Sequence, residues 1–292
     1  MRRLGIDIGG TKMLAVVVES RSPDGSGVEI VDERREAAPT SGDIVASIGA
    51  FAKSFGPVDS LGVGIAGLVR RIDDVVVTTT HLPNVRGLAL RRDLERLLGL
   101  PVAVDNDGTC AAVAEWRAGS ARGFDDAVVL TIGTGIGGAA IVNGRVARGA
   151  HGYAGEFGHM IVVRDGEACP CGRSGCWESY VSGRGLGRLA GGADPELVLE
   201  RFANGDLSAK RSVDEFARCA AIGLFDLTSI FDPGCIVLGG GLGSRSEILP
   251  VIESHFRGSV GGHAGRELPI LVNATLGASA GAIGAAFVGG GD

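Results

Sequence analysis

Residues 4–19 read LGIDIGGTKMLAVVVE, and residues 127–146 read AVVLTIGTGIGGAAIVNGRV. Each runs from an apolar strand through a polar glycine turn into a second apolar strand, so the chain carries the same hairpin twice. The second copy ends in Asn143-Gly144, a strong short hairpin signal, ahead of RVARG. Between the copies the pattern predicts a helix near 43–55, a strand SLGVGIAGLV (60–69), a helix near 88–98, a strand PVAVDN (101–106) and a helix over about 108–118. That alternation describes an α/β lobe. Beyond residue 180 come helical stretches, notably VDEFARCAAIGLFDLTSIF (213–231), then a strand CIVLGGG (235–241) and a helix around 246–256. The second lobe reads as α/β as well. The closing stretch GASAGAIGAAFVGG (277–290) suits a helix packed closely on a neighbour, although its glycines count against helix formation.

A chain of 292 residues suits two moderate domains. The expected division is 1–116 joined by the last helix, about 277–290, and 117–276. With 45% hydrophobic and 21% charged residues the sequence describes an ordinary folded protein; glycine, at 50 residues, is its outlier. The start MRRLGIDIGG holds no apolar core of signal-peptide length, and no run of about 18 apolar residues occurs, so the expectation is a cytoplasmic protein with no membrane partner. A net charge of −6 with scattered arginines leaves no basic stripe, which argues against nucleic acid.

Glycine turns between strands expose backbone N–H groups in a concave nest, and a neighbouring hydroxyl or ammonium completes a phosphate cradle. DIGGTK (Asp7, Gly9, Gly10, Thr11, Lys12) and TIGTGIGG (Gly133, Thr134, Gly135) both fit. Either alone is open to the plainer reading of a tight hairpin; the pair suits a nucleotide. GTGIGG matches the dinucleotide pattern by letter, but a strand and turn follow it where that motif needs a helix, and no P-loop pattern is present. A third glycine cluster, Gly239–Gly241, ends a strand before a helix; it reads either as a ligand position or as a helix entry turn. Asn106 and Asp107 stand where a strand meets a helix. Asp107 is either a helix cap or a base for a substrate hydroxyl.

Cys169, Cys171 and Cys176 fall within eight residues, ten residues after His159. One nitrogen and three sulfurs satisfy tetrahedral zinc with no open position, which makes a structural site. A redox dithiol fits less well, because a third thiol and a histidine accompany the pair. Glu156 and Glu178 flank this loop, either as surface charges or as acceptors for a polyhydroxylated ligand. Glu178 is expected to lie away from both glycine turns. Cys110, Cys219 and Cys235 stand singly in apolar surroundings, as buried thiols do.

DIGGTK, DNDGTCAA, LTIGTGIGGAAIVNGRVARGAHGYAGEFGH, CPCGRSGCWES and DPGCIVLGGG, in that order and over nearly the whole chain, resemble the ROK family of repressors and sugar kinases. The resemblance implies a two-lobed actin-like ATPase fold, related to ribonuclease H, with a duplicated strand–glycine turn–strand cradle. It implies ATP-dependent phosphorylation of a hexose hydroxyl, most simply the 6-hydroxyl of glucose. N-acetylglucosamine, N-acetylmannosamine and fructose are alternative substrates, and a non-catalytic sugar sensor is the alternative of another class. By resemblance Asp107 is the catalytic base, and Gly67, Asn106, Glu156, His159 and Glu178 contact the sugar, with His159 also a zinc ligand. Asp7, Gly9, Gly10, Thr11, Lys12, Gly133, Thr134 and Gly135 would hold ATP phosphates, and Gly239 and Gly240 the adenosine. Mg²⁺ and structural Zn²⁺ are the implied metals, and a homodimer or homotetramer the implied assembly.

The sequence departs from the family at two places. Ile65–Val69 reads IAGLV where Ala-Pro-Gly is usual, so the loop backing the sugar lacks its proline, and DGTC replaces a more usual Ala-Asn step after Asn106. The family's repressor branch carries a DNA-binding segment ahead of the first cradle; here the cradle begins at residue 7, which favours a kinase.

Overall fold

The computed structural model describes residues 1–20, 28–39, 43–79, 82, 85–259 and 265–290. In chain order its elements are β1 (Arg2–Ile8), β2 (Lys12–Ser20), β3 (Val28–Ala37), α1 (Ile44–Lys53), β4 (Ser60–Ile65), β5 (Gly67–Arg70), β6 (Val75–Thr79), α2 (Leu90–Leu98), β7 (Val102–Asn106) and α3 (Asp107–Ala118). There follow β8 (Ala127–Ile132), β9 (Ile136–Val142), β10 (Arg145–Val146), α4 (Gly183–Leu189), α5 (Pro195–Ala203) and α6 (Leu207–Phe231). The chain closes with β11 (Cys235–Gly239), α7 (Gly240–Gly243), α8 (Leu249–Gly258), β12 (Ile270–Asn273) and α9 (Ala280–Gly289). Contacts divide it into two units: Met1–Arg122 with Val146–Gly155 and Leu276–Asp292, and Gly123–Arg145 with Glu156–Thr275.

Each unit is built on one of the two hairpins. In the first, the sheet order is β3-β2-β1-β4-β7, with β2 antiparallel to β1 and with β4 and β7 continuing in parallel. In the second, the order is β10-β9-β8-β11-β12, with β9 antiparallel to β8 and with β11 and β12 continuing in parallel. The duplication legible at the hairpins therefore extends to two five-stranded sheets of the same plan.

The unbroken apolar run of β2 follows from burial on both faces. Met13, Ala15 and Val17 join a core with Ile48 and Phe51 of α1 and Leu94 of α2, while Leu14, Val16 and Val18 face Val113 of α3 and Ile283 of α9. β3 is the opposite case. Its residues VDERREA lie on the sheet's edge, mostly exposed, so no apolar period announced it in the sequence.

The glycine-rich C-terminal stretch is helical. A Cβ on Gly62 of β4 would overlap the Ala285 carbonyl, and one on Gly284 of α9 would overlap the Cys110 carbonyl of α3. Glycine thus lets α9 lie against β4 and α3 at backbone distance, and the packing outweighs its helix penalty of about 1 kcal/mol per residue. Gly284→Ala should lower stability by about 1–3 kcal/mol, although alanine is the better helix former. A denaturant midpoint at or above that of the wild type would contradict this.

The predicted strand 60–69 is two strands in different sheets: β4 stops at Ile65, and Gly67 opens the β5–β6 hairpin, where a Cβ would overlap the Thr78 carbonyl. The predicted strand 235–241 ends at Gly239, and the two glycines after it begin the single turn α7. Among the described residues no helix is long and apolar enough to cross a membrane.

Candidate functional site

In the first unit, β1 delivers Asp7 to the mouth of the first glycine turn. The turn is closed by the Gly9 N–H donating to the Lys12 carbonyl (3.0 Å), and the Thr11 carbonyl accepts from Ala38 N–H (3.0 Å), leaving Thr11 and Lys12 exposed. Asp7 stands opposite Gly64 of β4, and its carboxylate leaves no room for a side chain on Gly281. Burial, and then the charge of Asp107, push the Asp7 carboxyl up from 3.8 to about 7, with Lys12 opposing. Between those two pH values the folded chain holds a proton that the unfolded chain has released, so this group makes stability fall as pH rises from about 4 to about 7. Asp7→Asn should flatten that decline in the ligand-free protein and unfold at higher denaturant above pH 7. Identical pH slopes for the two proteins would contradict the assignment.

β7 ends at Asn106, and α3 begins at Asp107. Asn106 has extended backbone, and its side-chain oxygen accepts from Thr109 N–H (3.0 Å), so Asn106 is the helix cap. This removes the plainer reading of Asp107 as the cap. Asp107 is the first helical residue, where the helix dipole favours a negative charge, and its Oδ1 accepts from Gly108 N–H (2.9 Å). The Asn106 amide donates to the Gly67 carbonyl (3.1 Å), tying down the proline-less loop.

One pair of residues behind Asp107 escaped the sequence reading. Asp105 and Arg148 form an ion pair at 2.9 Å with each side chain only 12% exposed, and Asp105 also accepts from Asn106 N–H (2.9 Å). This pair fixes the end of β7. An acid inside the apolar strand VAVDN was the available signal, since a buried charge needs a partner.

In the second unit, Gly133 N–H donates to the Gly135 carbonyl (2.9 Å), and the Gly133 carbonyl accepts from Gly183 N–H at the start of α4 (2.8 Å). Thr131, at the end of β8, lies in register with Gly239. Gly240 has φ +78°, and a Cβ there would crowd Ile132. The Gly241 nitrogen lies 4.0 Å from the position a Gly133 Cβ would take. Two glycine clusters far apart in sequence thus meet side by side, and adjacent glycine turns with available backbone N–H groups suit anionic oxygens.

The same unit gathers His159, Cys169, Cys171 and Cys176, whose ligand atoms all lie within 4.8 Å of one another. Cys169 Sγ is 3.8 Å from His159 Nδ1, and Cys171 Sγ is 3.6 Å from Cys176 Sγ. A tetrahedral ion with Zn–S near 2.3 Å has edges of about 3.8 Å, so the donor set and spacing fit zinc. With Nδ1 turned to the sulfurs, His159 Nε2 faces Glu156 Oε2 at 3.7 Å.

Glu178 differs from the expectation. The 3-10 turn Trp177–Ser179 folds it back so that its Oε2 accepts from Ile136 N–H (2.9 Å), 42 residues away and directly after Gly135. It is attached to the second glycine turn rather than remote from it. Arg184, which the sequence reading had not singled out, stands 3.4 Å from its other oxygen.

The ROK family model matches residues 3–289. A glucokinase of Streptomyces coelicolor is 36% identical over 97% of this chain and 96% of its own. An N-acetylmannosamine kinase of Escherichia fergusonii is 32% identical over 87% of this chain and 88% of its own. Among solved structures, a ROK family glucokinase from Streptomyces griseus in complex with glucose and AMPPNP superposes with a TM-score of 0.86 at 36% identity, with both chains covered completely. Two sheets of one plan, each opening on a glycine turn, and a family match from end to end place this chain in the ROK family, with the actin-like ATPase fold.

Proposed function

We propose that this protein is an ATP-dependent hexose kinase that phosphorylates the 6-hydroxyl of glucose. The observation that carries the reading is Asp107 itself. Its carboxylate sits at the start of a helix already capped by Asn106, beside a second acid whose proton affinity it raises. As the sugar oxygen attacks the γ-phosphorus, Asp107 takes the hydroxyl proton, the bond to the β–γ bridging oxygen breaks, and ADP leaves. The backbone N–H groups of both glycine turns, with Lys12, hold phosphate oxygens; Gly239 and Gly240 adjoin the adenosine. Asn106 and Gly67 contact the sugar, as do Glu156, His159 and Glu178. Mg²⁺ arriving with the nucleotide would be held by Asp7, a hard oxygen donor, and would neutralise charge on the phosphates. His159, Cys169, Cys171 and Cys176 would hold a structural Zn²⁺, and coordination through Nδ1 would keep the His159 ring in place with its Nε2 toward Glu156.

The N-acetylmannosamine kinase relative supports a second reading, in which an N-acetylated hexose is the substrate. A panel of glucose, fructose, N-acetylglucosamine and N-acetylmannosamine, each with ATP or polyphosphate, separates the readings. The expected result is sugar-dependent ADP formation with kcat/KM highest for glucose. A higher value for an N-acetylated sugar moves the substrate assignment; no turnover with any sugar makes the protein a sensor.

A further inference from the structure

The second glycine turn is held from behind by the segment that leaves the Cys/His cluster. Cys176 is followed by Trp177, which is fully buried; its backbone N–H donates to the Met160 carbonyl (2.7 Å), and its indole N–H donates to the Cys219 carbonyl (2.9 Å). The ring lies against Gly223, where a Cβ would overlap it. With Trp177 immobilised, Glu178 has a fixed origin, and a Gly158 Cβ would lie 3.3 Å from its Cβ. From there its Oε2 reaches the Ile136 N–H at 2.9 Å, and a Cβ on Gly135 would overlap that same oxygen. Ile136 and Ile132 are the last pair of the β8–β9 ladder, so the carboxylate takes the first amide beyond the turn. Five residues on, Gly183 N–H holds the Gly133 carbonyl (2.8 Å), so both ends of Gly133–Gly135 are tied to one stretch of chain.

We propose that Glu178 is a positioning residue for the nucleotide: it holds the glycine turn 133–135 in its phosphate-binding shape through the Ile136 amide, besides serving the sugar. The inference rests on the kinase reading. A carboxylate has about four lone-pair sites, so one oxygen can accept the amide while others accept a hydroxyl. One side chain then touches both the sugar subsite and the phosphate turn. Ordering it with either ligand favours the other, and the coupling is reciprocal.

The test uses two variants of the full chain, with a non-hydrolysable ATP analogue titrated in the absence of sugar. A glutamine side chain keeps an oxygen for the Ile136 amide, so Glu178→Gln should bind the analogue within about threefold of wild type, while Glu178→Ala should bind it about tenfold or more weakly, the scale of one charge-assisted hydrogen bond. Hydrogen exchange at the Ile136 amide should be slow in wild type and Glu178→Gln and fast in Glu178→Ala, at unchanged melting temperature. Wild-type analogue affinity in Glu178→Ala, or equal losses in both variants, overturns the proposal, as does unchanged Ile136 protection in Glu178→Ala. Failure of the kinase reading shows separately, as absence of sugar-dependent ADP formation by the wild type, and leaves the exchange measurement decisive for the tether.

Discussion

Asp107→Asn lowers kcat by about 10²–10⁴-fold while the protein still folds and binds both ligands, the range for loss of a general base. The structure sharpens this expectation, because the cap of α3 belongs to Asn106 and survives the substitution. An asparagine oxygen can still accept from Gly108 N–H, so the local hydrogen bond survives as well. What is lost is a charge at the first helical position, worth about 0.3–1 kcal/mol, partly offset by relief of the repulsion that raises Asp7. A small change in melting temperature beside a large fall in kcat is therefore the signature of catalysis. A variant that melts normally, binds sugar and nucleotide and turns over within about tenfold of wild type would reduce Asp107 to a favourable charge at a helix start.

Cys171→Ser, or chelation of the wild type, should lower the melting temperature by on the order of 10 °C, because a structural zinc contributes its binding energy directly to folding. Purified wild type should carry one zinc per chain, and the variant should lose it. Sugar affinity should fall together with stability: His159 is at once a member of the donor set and the neighbour of Glu156. Elemental analysis and a glucose titration at a temperature where the variant remains folded check both halves. Zinc-free wild type that is equally stable would refute the metal site; zinc-dependent stability with unchanged sugar binding would detach the cluster from the sugar.

Parts of this molecule were legible because they rest on local rules. A glycine turn between apolar strands reads directly as a hairpin, and its repetition at 127–146 announced a two-part architecture. Cys₃His within eighteen residues reads as a metal site because few other arrangements need those donors so close. Asn106 and Asp107 were legible as a pair at a strand–helix junction, but not which of them caps: both side chains cap well, and the choice depends on the residue at which the backbone turns from extended to helical.

Sequence alone determined the two hairpins, the α/β class, the Cys₃His donor set and the Asn106-Asp107 pair at a strand–helix junction, since each is a matter of residue type and short spacing. Tertiary structure decided the rest. The glycines of α9, unfavourable by propensity, are there because the helix meets β4 and α3 at backbone distance. The exposed edge strand β3 exists because β2 has a second side to pair, not because of its own pattern. Arg148 meets Asp105 from 43 residues away, and Glu178 meets Ile136 from 42, and no local periodicity encodes such pairs. They form because the sheets and the buried Trp177 fix where each backbone runs, and only then can a carboxylate reach its partner.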